Sequence, residues 1–87
     1  MAVSNYQFKL GSALCELVTG ITFSDTNETS FTHYLGVQPD ITLIIPTSAY
    51  HVYMSTATSS TTIKLTPANA SATCQVLLIK AKDKEIA

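Results

Sequence analysis

The stretch 32-THYLGVQPDITLIIPTS-48 decides how the chain is read. On its approach Phe31, His33 and Leu35 alternate with Thr32 and Tyr34, the period of two that marks a half-buried strand. Gly36 to Asp40 then makes a connection, in which Gly36 permits a positive φ and Pro39 fixes φ and withholds a backbone donor. The aliphatic run Ile41 to Ile45 follows and is stopped by Pro46. The stretch therefore reads as a strand, a tight connection and a second strand. Gly36 and Pro39 set its path, and His33 is expected to be structural, hydrogen-bonded to a neighbouring loop.

The same alternation extends both ways. Tyr6, Phe8 and Leu10 alternate with Gln7 and Lys9 until Gly11-Ser12 breaks the run. In 13-ALCELVTGITFSD-25, Leu14, Leu17 and Val18 fall at helical spacing, while Leu17, Thr19, Ile21 and Phe23 keep a strict alternation. Gly20 weakens a helix there by about 1 kcal/mol relative to Ala, so a long strand bent at Gly20 is preferred over a short helix. The segment 24-SDTNE-28 is a turn by composition. Tyr50, Val52 and Met54 alternate next, and after the polar 55-STATSST-61 the pair Ile63 and Leu65 faces one way. Pro67 to Ala70 forms a turn. In 73-TCQVLLIKA-81, Cys74, Val76 and Leu78 share one face and Leu77 and Ile79 the other. The sequence predicts an all-β chain, a small antiparallel β-sandwich or barrel of about seven short strands, because no helical crossover long enough for a βαβ unit is present. Residues 1–82 read as a single β domain and 83–87 as a short charged C-terminal tail.

Composition bounds the function. A chain of 87 residues makes one domain that buries roughly 60 to 65% of its unfolded surface, so its own core is thin. It is 46% hydrophobic and only 13% charged, against a usual charged share of about 25%. That deficit predicts a surface meant for other protein. The net charge is −1, and Lys80, Lys82 and Lys84 are interrupted by Asp83 and followed by Glu85, which is no phosphate-tracking stripe; nucleic acid is not an expected partner. Residues 1–12 carry no secretory signal and no apolar run reaches the ~18 residues of a membrane span, so the expectation is a soluble protein made in the cytoplasm. The sequons 27-NET-29 and 69-NAS-71 are read as chance products of a Ser/Thr-rich sequence.

No set of residues suited to chemistry stands out. His33 and His51 lack an HxxxH, CxxC or carboxylate companion, so neither a metal nor a cofactor is expected. Cys15 and Cys74 sit in no nucleophile signature, and the aspartates 25, 40 and 83 and the three glutamates are placed in turns, at a strand start or in the tail. The chain is not expected to be an enzyme; a small enzyme or metal protein using His33, His51 and the cysteines is the alternative of a different class. Tyr34, Tyr50 and Tyr53 offer aromatic faces for a sugar, against ordinary strand packing.

Residues 19–66 resemble the small β-modules of tailed-bacteriophage virion proteins. The resemblance is carried by Gly20 to Phe23, a G-hydrophobic-T-F strand, and by His33, Leu35, Gly36 and Pro39, an H-x-L-G-x-x-P connection. It continues in the aliphatic strand and P-T-S turn of Ile41 to Ser48, the hairpin 52-VYMSTATSSTTIKLTP-67 and the closing strand 76-VLLI-79. It implies a virion structural role: a small capsid decoration, or cement, protein that stabilises the head through contacts with the major capsid protein or other virion proteins. The alternative it implies is a receptor- or glycan-binding tip module of a phage fibre, whose partner is a host-surface glycan. It also implies a homo-oligomer, with a trimer favoured.

Two expectations remain. Ile41 to Ile45 and Val76 to Ile79 are apolar on both faces, more than a thin single domain covers, which makes Ile41, Leu43, Ile45, Tyr53, Leu77 and Ile79 the candidate interface. Cys15 and Cys74 have three readings: two reduced, buried thiols, an intermolecular bond to a virion neighbour, or an intrachain bridge. The bridge would close a loop of roughly 60 residues, which the chain-entropy model values at about 4 kcal/mol, and it requires Cα atoms within about 7 Å.

Overall fold

The computed structural model describes residues 3–81, so the expected charged tail at 83–87 lies outside the described residues. Seven strands follow one another: β1 (Ser4–Leu10), β2 (Ala13–Thr22), β3 (Thr29–Thr32), β4 (Ile41–Pro46), β5 (Val52–Thr56), β6 (Thr62–Pro67) and β7 (Thr73–Lys80). They form two antiparallel sheets, one of four strands in the order β1-β2-β7-β4 and one of three in the order β3-β6-β5. The all-β expectation holds, and the arrangement is a small sandwich. The opening stretch is the crossover that carries the chain from β3 in one sheet to β4 in the other.

The ambiguous segment at 13–25 is strand and not helix. β2 pairs with β1 on one side and β7 on the other, so its backbone donors and acceptors are used by two ladders at once. The ladder to β7 shifts register between Val18 and Ile21, and Gly20 lies within the irregularity with φ of 73°. That left-handed conformation is one glycine adopts without a Cβ clash.

Directly opposed residues of an antiparallel pair share a face, so the registers assign every side chain of the larger sheet. Val18, Val76 and Ile44 align and point inward, as do Ile21 and Cys74. Val52, Ile63 and Leu65 from the smaller sheet meet them, and with Leu78 and Ala72 they make one core. Phe23 and Phe31 close one margin edge to face, with ring centroids 5.7 Å apart.

One placement overturns the sequence reading, and another removes one of its three cysteine readings while agreeing with the reduced, buried pair. Glu16 is not in a turn, at a strand start or in a tail: it is the fourth residue of β2 and is fully buried. The intrachain cysteine bridge is excluded although β2 and β7 are neighbours. Cys15 opposes Ile79 and Cys74 opposes Ile21, an offset of five residues along β7 and roughly 16 Å, far beyond disulfide reach. The two also occupy opposite faces, Cys15 with Leu17 on the outside and Cys74 with Val76 within. Both are free thiols, and both are buried.

Candidate functional site

The outer face of the four-stranded sheet is the candidate site. Reading across the ladders, Phe8, Cys15, Ile79 and Ile41 stand in one row, and Tyr6, Leu17, Leu77 and Leu43 in the next. Each row runs from edge to edge of the sheet, and neither contains a charged side chain. Leu10 opposite Ala13 extends the apolar surface at one end and Ile45 beside Gln75 at the other, where Ser4 and Thr19 form a polar margin. The two rims stand highest: Tyr6, Phe8 and Leu10 on β1 are 57%, 40% and 59% exposed, and Ile41, Leu43 and Ile45 on β4 are 50%, 50% and 36% exposed. Leu17, Leu77 and Ile79 in the middle are half-buried.

Five of the six residues expected at an interface, Ile41, Leu43, Ile45, Leu77 and Ile79, are therefore brought together. Tyr53 is not. It opposes Thr66 in the smaller sheet, points away from the core there, and stacks on His51 with centroids 6.1 Å apart and planes 22° apart. Sequence reading missed the apolar rim of Tyr6, Phe8 and Leu10. Its alternation was visible, but alternation alone does not say which half faces the core.

Glu16 explains why this half faces outward. Asn5, Gln7 and Glu16 share the inner face, where the Asn5 amide donates to Glu16 Oε2 at 2.7 Å and the Gln7 amide to Oε1 at 3.1 Å. The backbone N–H of Tyr34 donates to both oxygens, at 2.9 and 3.1 Å. Asn5 and Gln7 reach on to the carbonyls of Thr32 and Tyr34, at 3.2 and 2.6 Å. The carboxylate thus ties β1 and β2 to the start of the crossover.

His33 continues this network. It is buried, its Nε2–H donates to the Ser59 carbonyl at 2.8 Å, and its Nδ1 accepts from the Leu35 N–H at 3.3 Å. Because a carbonyl only accepts, the hydrogen sits on Nε2. The loop after β5 is further fastened by Gln38, which donates to the Thr58 carbonyl at 3.1 Å, and by Thr42, which donates to the Thr58 hydroxyl at 3.0 Å. Gly36, with φ of 79°, turns the chain beyond Leu35, and half-buried Pro39 leads it into β4. Asp40 accepts from the backbone N–H of Ala81 at 2.9 Å and from Lys80 at 3.4 Å.

The smaller sheet presents the opposite character. Ser30, Lys64 and Thr56 align on its outer face, beside Thr32 with Thr62 and Tyr53 with Thr66. The hydroxyls of Ser55 and Thr56 donate to Glu28 at 2.5 and 2.8 Å. Those two hydrogen bonds, with Lys64 nearby, hold the Glu28 carboxyl below its ordinary value. The molecule has one oily face and one wet one.

The remaining candidates do not assemble. Among the described residues no three of His, Cys, Asp and Glu gather as metal ligands would. Tyr34 is held at the level of Glu16, which opposes Leu78, whereas Tyr50 follows Pro46, which opposes Cys74. Tyr34 lines one hollow with Gln7, Phe8 and Leu35 and Tyr50 another with Ile44, Pro46 and Val52, so the three tyrosines do not form one platform. Burial pushes the Cys74 thiol up to about 11. No family model, curated protein or solved structure matches the chain.

Proposed function

We propose that the chain is a structural protein of a tailed-bacteriophage virion, a small capsid decoration protein that stabilises the head through protein–protein contacts and is not an enzyme. The observation that carries this reading is the outer face of the four-stranded sheet: two full rows of apolar side chains, without a charge, on a chain that is only 13% charged. Exposed apolar surface of this extent is what contact with other protein requires. The groups that could have done chemistry are otherwise engaged. Both oxygens of Glu16 and both ring nitrogens of His33 are bound mainly by backbone and amide partners. The virion setting comes from the resemblance of residues 19–66, and the protein is made in the host cytoplasm and carried on the particle.

One observation favours the fibre-tip alternative, in which the ligand is a host-surface glycan: His51 and Tyr53 are exposed and stacked, with exposed Tyr50 next in the chain. Co-sedimentation of the purified protein with heads that lack it, run beside a glycan array, separates the two. Saturable binding to heads is expected. Robust glycan binding with no affinity for heads would sink the decoration reading.

A further inference from the structure

We infer that the outer face of the four-stranded sheet receives a second copy of this chain, the two sheets stacked about a two-fold axis parallel to the strands. This rests on the reading of that face as an assembly contact and names its occupant.

Three observations point to a like partner. The two rows contain no charged group, so the face meets its own image without repulsion and has nothing with which to select a charged partner. The rims differ in bulk, aromatic Tyr6 and Phe8 on β1 against aliphatic Leu43 and Ile41 on β4. Rotation about an axis parallel to the strands lays each row over its own reversed image. Tyr6 then lies over Leu43 of the second copy, Phe8 over Ile41, and half-buried Leu17 over Leu77, so large side chains face smaller ones and the layers interdigitate. Sheets stacked in this way pack about 10 Å apart with their strands within about 30° of each other.

The third observation is area. Four strands at ~4.8 Å and three outward positions per strand at ~6.8 Å give a footprint of roughly 400 Å² per copy. A pair covers roughly 800 Å², short of the ~1,200 Å² at which stable specific interfaces begin, so the pair is a weak one, with a Kd of micromolar order and not tighter. One copy covers the two rows, and the pair, with its sheet edges and smaller sheets outward, is then the unit that meets the head. The smaller sheet, with Ser30, Thr32, Thr62 and Lys64 outward, offers no second apolar face from which to continue the stack, so the assembly closes at two.

Sedimentation equilibrium on the purified chain tests this, with circular dichroism to show that each variant folds. The wild type is expected as a monomer–dimer mixture. Tyr6→Lys and Leu43→Glu, both at exposed positions, are each expected to weaken the pair about 30-fold or more. Thr32→Lys, on the wet face, should leave it unchanged. An equimolar mixture of the Tyr6→Lys and Leu43→Glu chains should regain a dimer, because the axis sets position 6 of one copy over position 43 of the other. A wild type that stays monomeric up to about 100 μM, far above a micromolar Kd, overturns the inference, as does a trimer, or a dimer indifferent to both rim variants. A monomer that still binds heads removes the pair and leaves the decoration reading intact. A dimer broken by the rim variants but without affinity for heads does the reverse.

Discussion

Replacing Glu16 with glutamine tests the part of the fold on which the assembly face depends. The substitution keeps the shape and converts one carboxylate oxygen into an amide that donates. If that amide takes the place of Oε2, it faces the Asn5 amide at 2.7 Å and the Tyr34 N–H at 3.1 Å; in place of Oε1 it faces Gln7 at 3.1 Å and Tyr34 at 2.9 Å. Either way two donors lose an acceptor and meet a third donor. Tyr34 keeps the other oxygen, and the side-chain amide can turn only by abandoning the carbonyl of Thr32 or Tyr34 that it also serves. A hydrogen bond to a charged group is worth roughly 1.5 to 3 kcal/mol, and a buried donor left unpaired costs about 1 to 3 kcal/mol. Relief from desolvating a buried carboxylate works in the opposite direction. With every oxygen saturated by donors the losses dominate, and Glu16→Gln is expected to destabilise by about 2 to 4 kcal/mol. Urea titration reads this directly: with a slope near 1 kcal/mol per molar, the midpoint falls by about 2 to 4 M. All samples must be at one protein concentration, because self-association stabilises by mass action. Glu28→Gln, on the exposed partner of Ser55 and Thr56, is the control. A Glu16→Gln loss under about 0.5 kcal/mol, within the range of surface substitutions, would refute the claim that this carboxylate organises β1.

Other consequences are as concrete. His33→Ala removes the bond to Ser59 and leaves the Leu35 N–H without its acceptor, so about 2 to 4 kcal/mol should be lost, and hydrogen exchange should accelerate at Leu35 and through residues 57–61. Gly36→Ala meets no atom within 4 Å at φ of +79°, so its cost, roughly 1 to 2 kcal/mol by chemical denaturation, should be backbone strain alone. Cys74, with its thiol raised from 9.0 to about 11, should hold about 100-fold less thiolate than an ordinary cysteine at a given pH and resist iodoacetamide accordingly. Because the folded value lies above the unfolded one, its contribution to stability is complete below about pH 9 and is lost as the pH climbs through 11, which pH-dependent unfolding will show. Non-reducing electrophoresis should give a single monomer band whether or not reductant is added, as both thiols are buried and free; a ladder that collapses on reduction would contradict this.

Much of the fold was legible because strands carry their pattern locally. The periods around Phe31, Ile63 and Val76, the bend at Gly20 and the turn at Gly36 each depend on neighbours within a few residues. Partnership was not legible, since register is a relation between distant segments. That is why the cysteine bridge could be drawn from sequence: nothing in 13-ALCEL-17 or 73-TCQVL-77 discloses the five-residue offset that separates Cys15 from Cys74. It is also why Tyr53 was grouped with Leu43. Both stand outward on strands, but β4 and β5 belong to different sheets. The doubly apolar strands were the useful signal for the site, because a run such as 41-ITLII-45 exposes apolar side chains on whichever face it turns outward. The apolar rim on β1 gave no such signal, that strand being half polar in the ordinary way.

What inverts β1 is a competition between burial and a charge. Sliding β1 by one residue against β2 would turn Tyr6 and Phe8 inward; at 57% and 40% exposed they have about one whole side chain's burial left to gain between them, roughly 1.5 to 3 kcal/mol. The same slip would expel Asn5 and Gln7 and leave Glu16, 0% exposed, beneath two aromatic rings with only the Tyr34 N–H for company. A buried charge deprived of its partners costs about 3 to 5 kcal/mol. The two-residue turn at Gly11-Ser12, which sets Leu10 opposite Ala13, adds its own resistance, since hairpin register follows turn length. The observed register therefore places polar side chains where an isolated domain would put apolar ones, and displays Tyr6, Phe8 and Leu10 to the outside. In the pair proposed above those rings would be covered by Leu43 and Ile41 of the second copy, and the apolar surface left out of the core by Glu16 would leave water one step later, at the interface between copies.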